Sequence, residues 1–252
     1  MLSTSAEARR ARIQWWMPLR HGYPAPGAAQ GIMSSGTIAL LIRRYPLARR
    51  NIVSHILIAP EYELFPDRYR WSVAECRRMA EEGHLVGRYE ILDGEVVSKM
   101  GQKPAHFFSI ALLTHWANST FGDPFVRVQG PIALPGPDGD YSEPEPDLSI
   151  THEPMTAYHD HHPGPEDLRM VIEVSDTSLR LDLIVKARLY ARAGISEYWA
   201  LDLNARQLHI HREPANGDYT VVIVHTVGEH VAPATCPDGL VEIAALLPPA
   251  SA

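Results

Sequence analysis

Three charged side chains stand in stretches that otherwise read as protein core, and their types and spacing suit metal-assisted hydrolysis. In EPEPDLSI, Asp147 stands at the mouth of a short strand, Leu148 to Ile150, just after a proline that favours an extended approach. LRMVIEVSD reads as a buried strand from Leu168 to Val174 that carries one carboxylate, Glu173, near its end. DLIVKARLYARAG has helical period and sets Asp182, Lys186 and Tyr190 one above another at i, i+4 and i+8. A carboxylate at a strand end beside apolar residues costs desolvation unless it is paired or binds a metal. Hard oxygen ligands of this kind suit Mg²⁺ or Mn²⁺, which retain waters and sit on a few carboxylates plus a substrate phosphate. Asp147 and Glu173 are thus the candidate metal ligands, and Lys186 could orient the attacking water and offset charge on a phosphoryl transition state.

Structural readings compete with each of these. Asp147 could cap a loop, Glu173 could pair with an arginine, and Lys186 could snorkel outward or form a helix salt bridge with Asp182 worth about 0.3–0.5 kcal/mol. Glu90 sits between a tyrosine and Ile-Leu, as a solvent-facing residue of a strand or as a further acid of the site. His106, near a helix start, could touch a phosphate or relay a proton, or simply begin the helix. His152, His159, His161 and His162 share a loop with Pro and Gly, which is not the H-E-x-x-H geometry of a zinc site and reads as polar surface. A nucleophile elbow, a P-loop and a dinucleotide fingerprint are absent from the sequence.

The positioning elements follow from local signals. Ser72 with Glu75 three residues on predicts a capped helix ending at Gly83, and GRYEILDGEVVSK predicts a hairpin turning at Asp-Gly. Residues 104–120 predict a helix with Phe108, Leu112 and Trp116 on one stripe. Strand pieces are expected at 125–128 and 130–134, a turn-rich loop at 136–146, and later strands at 197–202, 207–212 and 219–225. Strands interleaved with helices make an α/β or α+β core, here a mixed sheet flanked by helices.

A chain of 252 residues with 45% hydrophobic and 21% charged residues suits one moderate domain with an appended arm. The boundaries expected are 1–60 for an N-terminal extension and 61–252 for the domain. The extension is rich in arginine, proline and glycine. It reads as a poorly ordered or upstream-translated arm, an assembly arm or a nucleic-acid tail, and Met33 would serve equally as a start. Cys76 and Cys236 lack metal-ligand spacing and suggest no disulfide scaffold. No run approaches the roughly 18–20 apolar residues of a membrane helix, so a soluble, cytoplasmic protein is expected. The formal net charge of -7 argues against a surface coated in positive potential, and any grip on a polyanion must be local.

YEILDGEVV at 89–97, His106, EPDLSI at 145–150, the run from Val171 to Leu203 and the following QLHIHREPANGDY resemble the Uma2-like (DUF820) family of restriction-endonuclease-like proteins, a branch of the PD-(D/E)XK nucleases. The likeness covers roughly residues 69–247. It implies a restriction-endonuclease-like core, Asp147 and Glu173 as the metal-binding acids, and Glu90 as the N-terminal acid. The usual motif has its lysine two residues after the second acid, where this chain has Ser175; in the family the lysine is supplied from the adjacent helix, a role that falls to Lys186. The activity implied is Mg²⁺- or Mn²⁺-dependent hydrolysis of phosphodiester bonds in nucleic acid, DNA first, with His106 and Asp182 as accessory residues and a homodimer as the common assembly. Activity in that family is assigned largely from the fold, so the rival is a non-catalytic binding or assembly protein on the same scaffold.

Overall fold

The computed structural model describes residues 68–99 and 101–250, all within a compact unit spanning Ala59–Ala252. The arm expected over residues 1–60 lies outside the described residues. Helix α1 (Val73–Glu81) starts as its sequence predicts: Ser72 Oγ accepts from the Glu75 N–H at 3.2 Å, and Glu75 accepts from the Ser72 N–H at 2.8 Å. Strands β1 (Tyr89–Leu92) and β2 (Glu95–Ser98) form the predicted hairpin. Its turn places Asp93 at φ 50° and Gly94 at φ 84°, and a Cβ on Gly94 would lie 2.6 Å from Arg70 Cβ, so glycine is required there.

After helix α2 (Pro104–Phe121) come β3 (Val126–Val128), the short helix α3 (Gly136–Tyr141), β4 (Leu148–Thr151) and β5 (Leu168–Ser175). A π-helical segment, Leu181–Lys186, runs into α4 (Ala187–Ala193). Strands β6 (Glu197–Asp202), β7 (Gln207–Ala215) and β8 (Asp218–Thr226) follow, then a small pair, β9 (His230–Val231) with β10 (Val241–Glu242). The central sheet has six strands in the order β3-β4-β5-β6-β7-β8, all antiparallel except β5 with β6. A parallel pair needs a crossover, and the π segment with α4 supplies it. The chain is thus an α+β fold built on a mixed sheet flanked by helices.

Apolar clusters cover both faces of the sheet. On one, Leu113 and Trp116 of α2 meet Ile150, Ile172 and Trp199, with the two tryptophan rings stacked at 5.3 Å. On the other, Leu189 and Tyr190 of α4 belong with Val171, Tyr198 and Ala200. Both faces of β5 and β6 are therefore buried, which explains their continuous apolar runs.

Three expectations need correcting. The buried side of α2 is Ser109, Ile110, Leu113, Trp116 and Ala117, while Phe108 is exposed and Leu112 half-buried, so the stripe is displaced around the helix. Residues 130–134 are not a strand: the Ile132 and Ala133 N–H groups donate to the Pro144 and Pro163 carbonyls, outside any ladder. The turn-rich stretch contains α3, a single short helix begun by Gly136-Pro137.

One core histidine makes a stability prediction. His211 of β7 is buried beside the Tyr198 and Tyr219 rings, its Nε2 has no hydrogen-bond partner, and burial pushes its pKa down to about 4. The unfolded chain takes up that proton near pH 6.5, so the contribution of neutral His211 is complete above that pH and is lost as pH falls toward 4. Urea midpoints at pH 7 and pH 4.5 are expected to differ less in His211→Phe than in the wild type.

Candidate active site

Antiparallel pairing of β4 with β5 sets Leu148 opposite Ile172, which brings Asp147, one residue before β4, beside Glu173 and Val174. The Val174 N–H donates to Asp147 Oδ2 at 2.9 Å, and the Gln129 side-chain amide donates to Oδ1 at 3.2 Å. His106, on the first turn of α2, directs Nε2 at Asp147 Oδ2, 3.4 Å away. Glu90 arrives from the hairpin, which docks on the same approach segment: Ile91 and Glu143 exchange backbone hydrogen bonds, and the Glu145 N–H donates to Glu90 Oε2 at 3.3 Å.

The helix closes the site. Within Leu181–Lys186 the backbone is π-helical, with the Ala187 N–H reaching back to the Asp182 carbonyl, a local expansion that often accompanies functional sites. Lys186 does not snorkel; its side chain is 4% exposed, and Nζ lies 2.8 Å from Glu173 Oε1, 3.0 Å from Glu90 Oε2 and 3.8 Å from Asp182 Oδ1. Tyr190 Oη donates to the same Glu173 oxygen at 2.8 Å. Asp182 Oδ2 accepts from Ser175 Oγ at 2.8 Å and Ser178 Oγ at 2.6 Å. Glu90, Asp147, Glu173, Lys186, His106 and Asp182 all line one cleft of about 360 Å³.

The structure thus brings together every acid and base that the sequence singles out for chemistry. Glu90 is buried, not solvent-facing. Sequence reasoning missed Gln129 and Ser178, and gave Ser175 and Tyr190 positions without roles. Ser175 had a signal: it occupies the place of the usual motif lysine, and its hydroxyl anchors Asp182. The histidine loop stays apart, His159, His161 and His162 lining a different cleft with Arg77 and Arg127.

Electrostatics sorts these groups. Burial works against the Lys186 ammonium, but Glu173, Glu90 and Asp182 outweigh it and hold its pKa above the ordinary lysine value. Burial raises Glu173 to about 8, helped by Asp147, Asp182 and Glu90 and opposed by Lys186. The direction is the same for Asp182, where burial outweighs Lys186 and the two serines. Asp147 goes the other way: burial is overcome by His106 and the Val174 N–H, so it stays ionised more readily. Asp147 in turn raises His106 against the effect of burial.

Among the described residues no set of three or more His, Cys, Asp or Glu side chains is arranged to hold a metal ion. The fit to a cation rests on the donor chemistry instead. Glu90, Glu173 and Asp182 share a single ammonium with Asp147 close by, and a divalent cation would offset the burial and mutual repulsion that raise Glu173 and Asp182. Asp147 and Glu173 offer hard oxygens to the cleft, and an ion of the Mg²⁺ type needs only one or two such carboxylates when water and substrate phosphate supply the rest.

Residues 74–246 match the Uma2 family, described as "Putative restriction endonuclease". The chain belongs to the Uma2 family. The protein is also similar to a solved structure from Anabaena variabilis ATCC 29413, described as "a putative nuclease belonging to DUF820", with 15% sequence identity, 67% of this chain and 96% of that chain covered, and a TM-score of 0.48. No curated protein matches the chain. No helix among the described residues is long and apolar enough to cross a membrane.

Removing the ammonium should expose the charge balance. Lys186→Met is expected to cost about 3–5 kcal/mol, because it leaves buried carboxylates facing one another. Adding Glu90→Gln to that variant should recover part of the loss, read as urea midpoints of the single and double variants.

Proposed function

We propose that this member of the Uma2 family is a divalent-metal-dependent endonuclease that hydrolyses phosphodiester bonds, with DNA as substrate. The observation that carries the reading is the convergence of Asp147, Glu173 and the Lys186 ammonium on one cleft. Asp147 and Glu173 would hold Mg²⁺ or Mn²⁺, which when bound supplies Lewis acidity toward the phosphate and lowers the pKa of water.

The remaining chemistry belongs to the chain. Lys186, fixed by Glu173 and Glu90, presents a permanent positive charge where the phosphoryl oxygens gain charge during attack. The bond formed joins phosphorus to a water oxygen, and the bond broken releases the 3′ oxygen. Asp182 and Tyr190 hold Lys186 and Glu173 in place, and His106 fixes Asp147 while offering a proton at the cleft wall. Arg88, Lys99 and Lys103 line the same cleft and give an acidic protein a local grip on a polyanion.

The competing reading, a non-catalytic binding protein on the nuclease scaffold, is favoured by the formal net charge of -7. Magnesium-dependent cleavage of plasmid and single-stranded DNA separates the two. The wild type should cut, while Asp147→Asn and Lys186→Ala, folded by circular dichroism, should lose on the order of 10²-fold or more. Equal residual cutting in wild type and Lys186→Ala would mark contamination and support the binding reading. Calorimetric titration with Mn²⁺ gives an independent readout: binding in the wild type and none in Asp147→Asn, whereas an unchanged titration would remove Asp147 from the metal site.

A further inference from the structure

The six-stranded sheet ends in two very different edges. At one, β3 is only three residues long, a length that itself discourages further pairing. At the other, β8 runs nine residues, and among the described residues no strand pairs with its outer side. Long edge strands in monomers are usually protected by lysine, proline or a bulge. From Tyr219 to Thr226, β8 has no lysine, no proline and no charged residue other than a histidine, and its register with β7 runs without a slip. Val222, Ile223 and Val224 are 46%, 41% and 39% exposed, so both faces of the strand show apolar side chains there, and only at its far end is the edge capped, where the Thr226 N–H donates to the Glu229 carboxylate at 2.6 Å.

The sequence of this edge is complementary to itself. Reversed about Ile223, Val221 falls opposite His225 and Val222 opposite Val224. Pairs of β-branched residues such as Val222 with Val224 stabilise antiparallel neighbours, and no like charges oppose one another across these positions. We propose that β8 pairs antiparallel with β8 of a second copy of this chain about a two-fold axis at Ile223, joining two six-stranded sheets into one. The interface is isologous, so the same residues serve both copies and the assembly closes as a dimer. This assembly does not depend on the nuclease reading, because none of its residues lines the catalytic cleft.

The register gives the test its resolving power. Only residue 223 meets its own counterpart, at the roughly 4.5–5.5 Å Cα spacing of directly opposed residues, within disulfide reach. Residues two positions from the axis are about 13–14 Å from their counterparts and out of reach. In a Cys236→Ser background, Ile223→Cys should oxidise to a covalent dimer and Val221→Cys alone should not, whereas mixed Val221→Cys and His225→Cys chains should cross-link. Sedimentation of the full chain should give the dimer mass, and Val222→Lys combined with Val224→Lys should give a folded monomer, since both side chains face solvent in the isolated chain. A monomeric wild type would mean that the edge is covered from within the chain or by a different protein, and would overturn the proposal. So would a dimer that survives the double lysine variant, or cross-linking of Val221→Cys without Ile223→Cys.

Discussion

A buried ammonium holding several carboxylates governs the rest of this site. Taking Lys186 out of water costs several kcal/mol, and the cost is met only because Glu173 and Glu90 lie within 3.0 Å and Asp182 stands one step further off. Those contacts need elements far apart in the chain: the β1–β2 hairpin for Glu90, β5 for Glu173 and the crossover helix for Lys186 and Asp182. The parallel pairing of β5 and β6 is what forces a helix across the sheet there, and the π-helical backbone sets how that helix presents its polar side chains. Sheet topology and site chemistry are therefore a single constraint.

The ammonium does not neutralise the whole cluster. Glu173 is raised to about 8 while Asp147, held by His106 and the Val174 N–H, is lowered, so two neighbouring carboxylates have environments that push them apart. This asymmetry distinguishes the site from a purely structural ion pair such as Glu197 with Arg212. There a buried glutamate accepts a guanidinium at 2.6 Å, a Trp199 N–H and an Ala234 N–H, and is satisfied.

Much of this was legible in the sequence because the strongest signals are local. The capping box at Ser72, the Asp-Gly hairpin and the apolar run around Glu173 are each decided within a few residues, and the structure has all three. An acid inside an apolar run must be paired wherever the chain goes, which is why Asp147, Glu173 and Lys186 could be named before their partners. The misses come from tertiary packing. The α2 stripe depends on which side Trp116 turns to stack on Trp199, and the extended 130–134 segment bonds to proline-rich loops instead of a strand. Gln129 has no pattern of its own and reaches Asp147 from a residue at φ 52°, a conformation no periodicity reveals.

The central claim is that Lys186 is a permanently charged centre, and its ammonium can be observed directly. The chain has three lysines, Lys99, Lys103 and Lys186, so ¹⁵N labelling of lysine gives a spectrum simple enough to assign by substitution. Followed by NMR as pH rises, the Lys186 Nζ should keep its proton beyond the ordinary lysine pKa of about 10.4. Loss of that proton at or below the ordinary value would show that the carboxylates do not hold the ammonium, and the account of the site would be wrong.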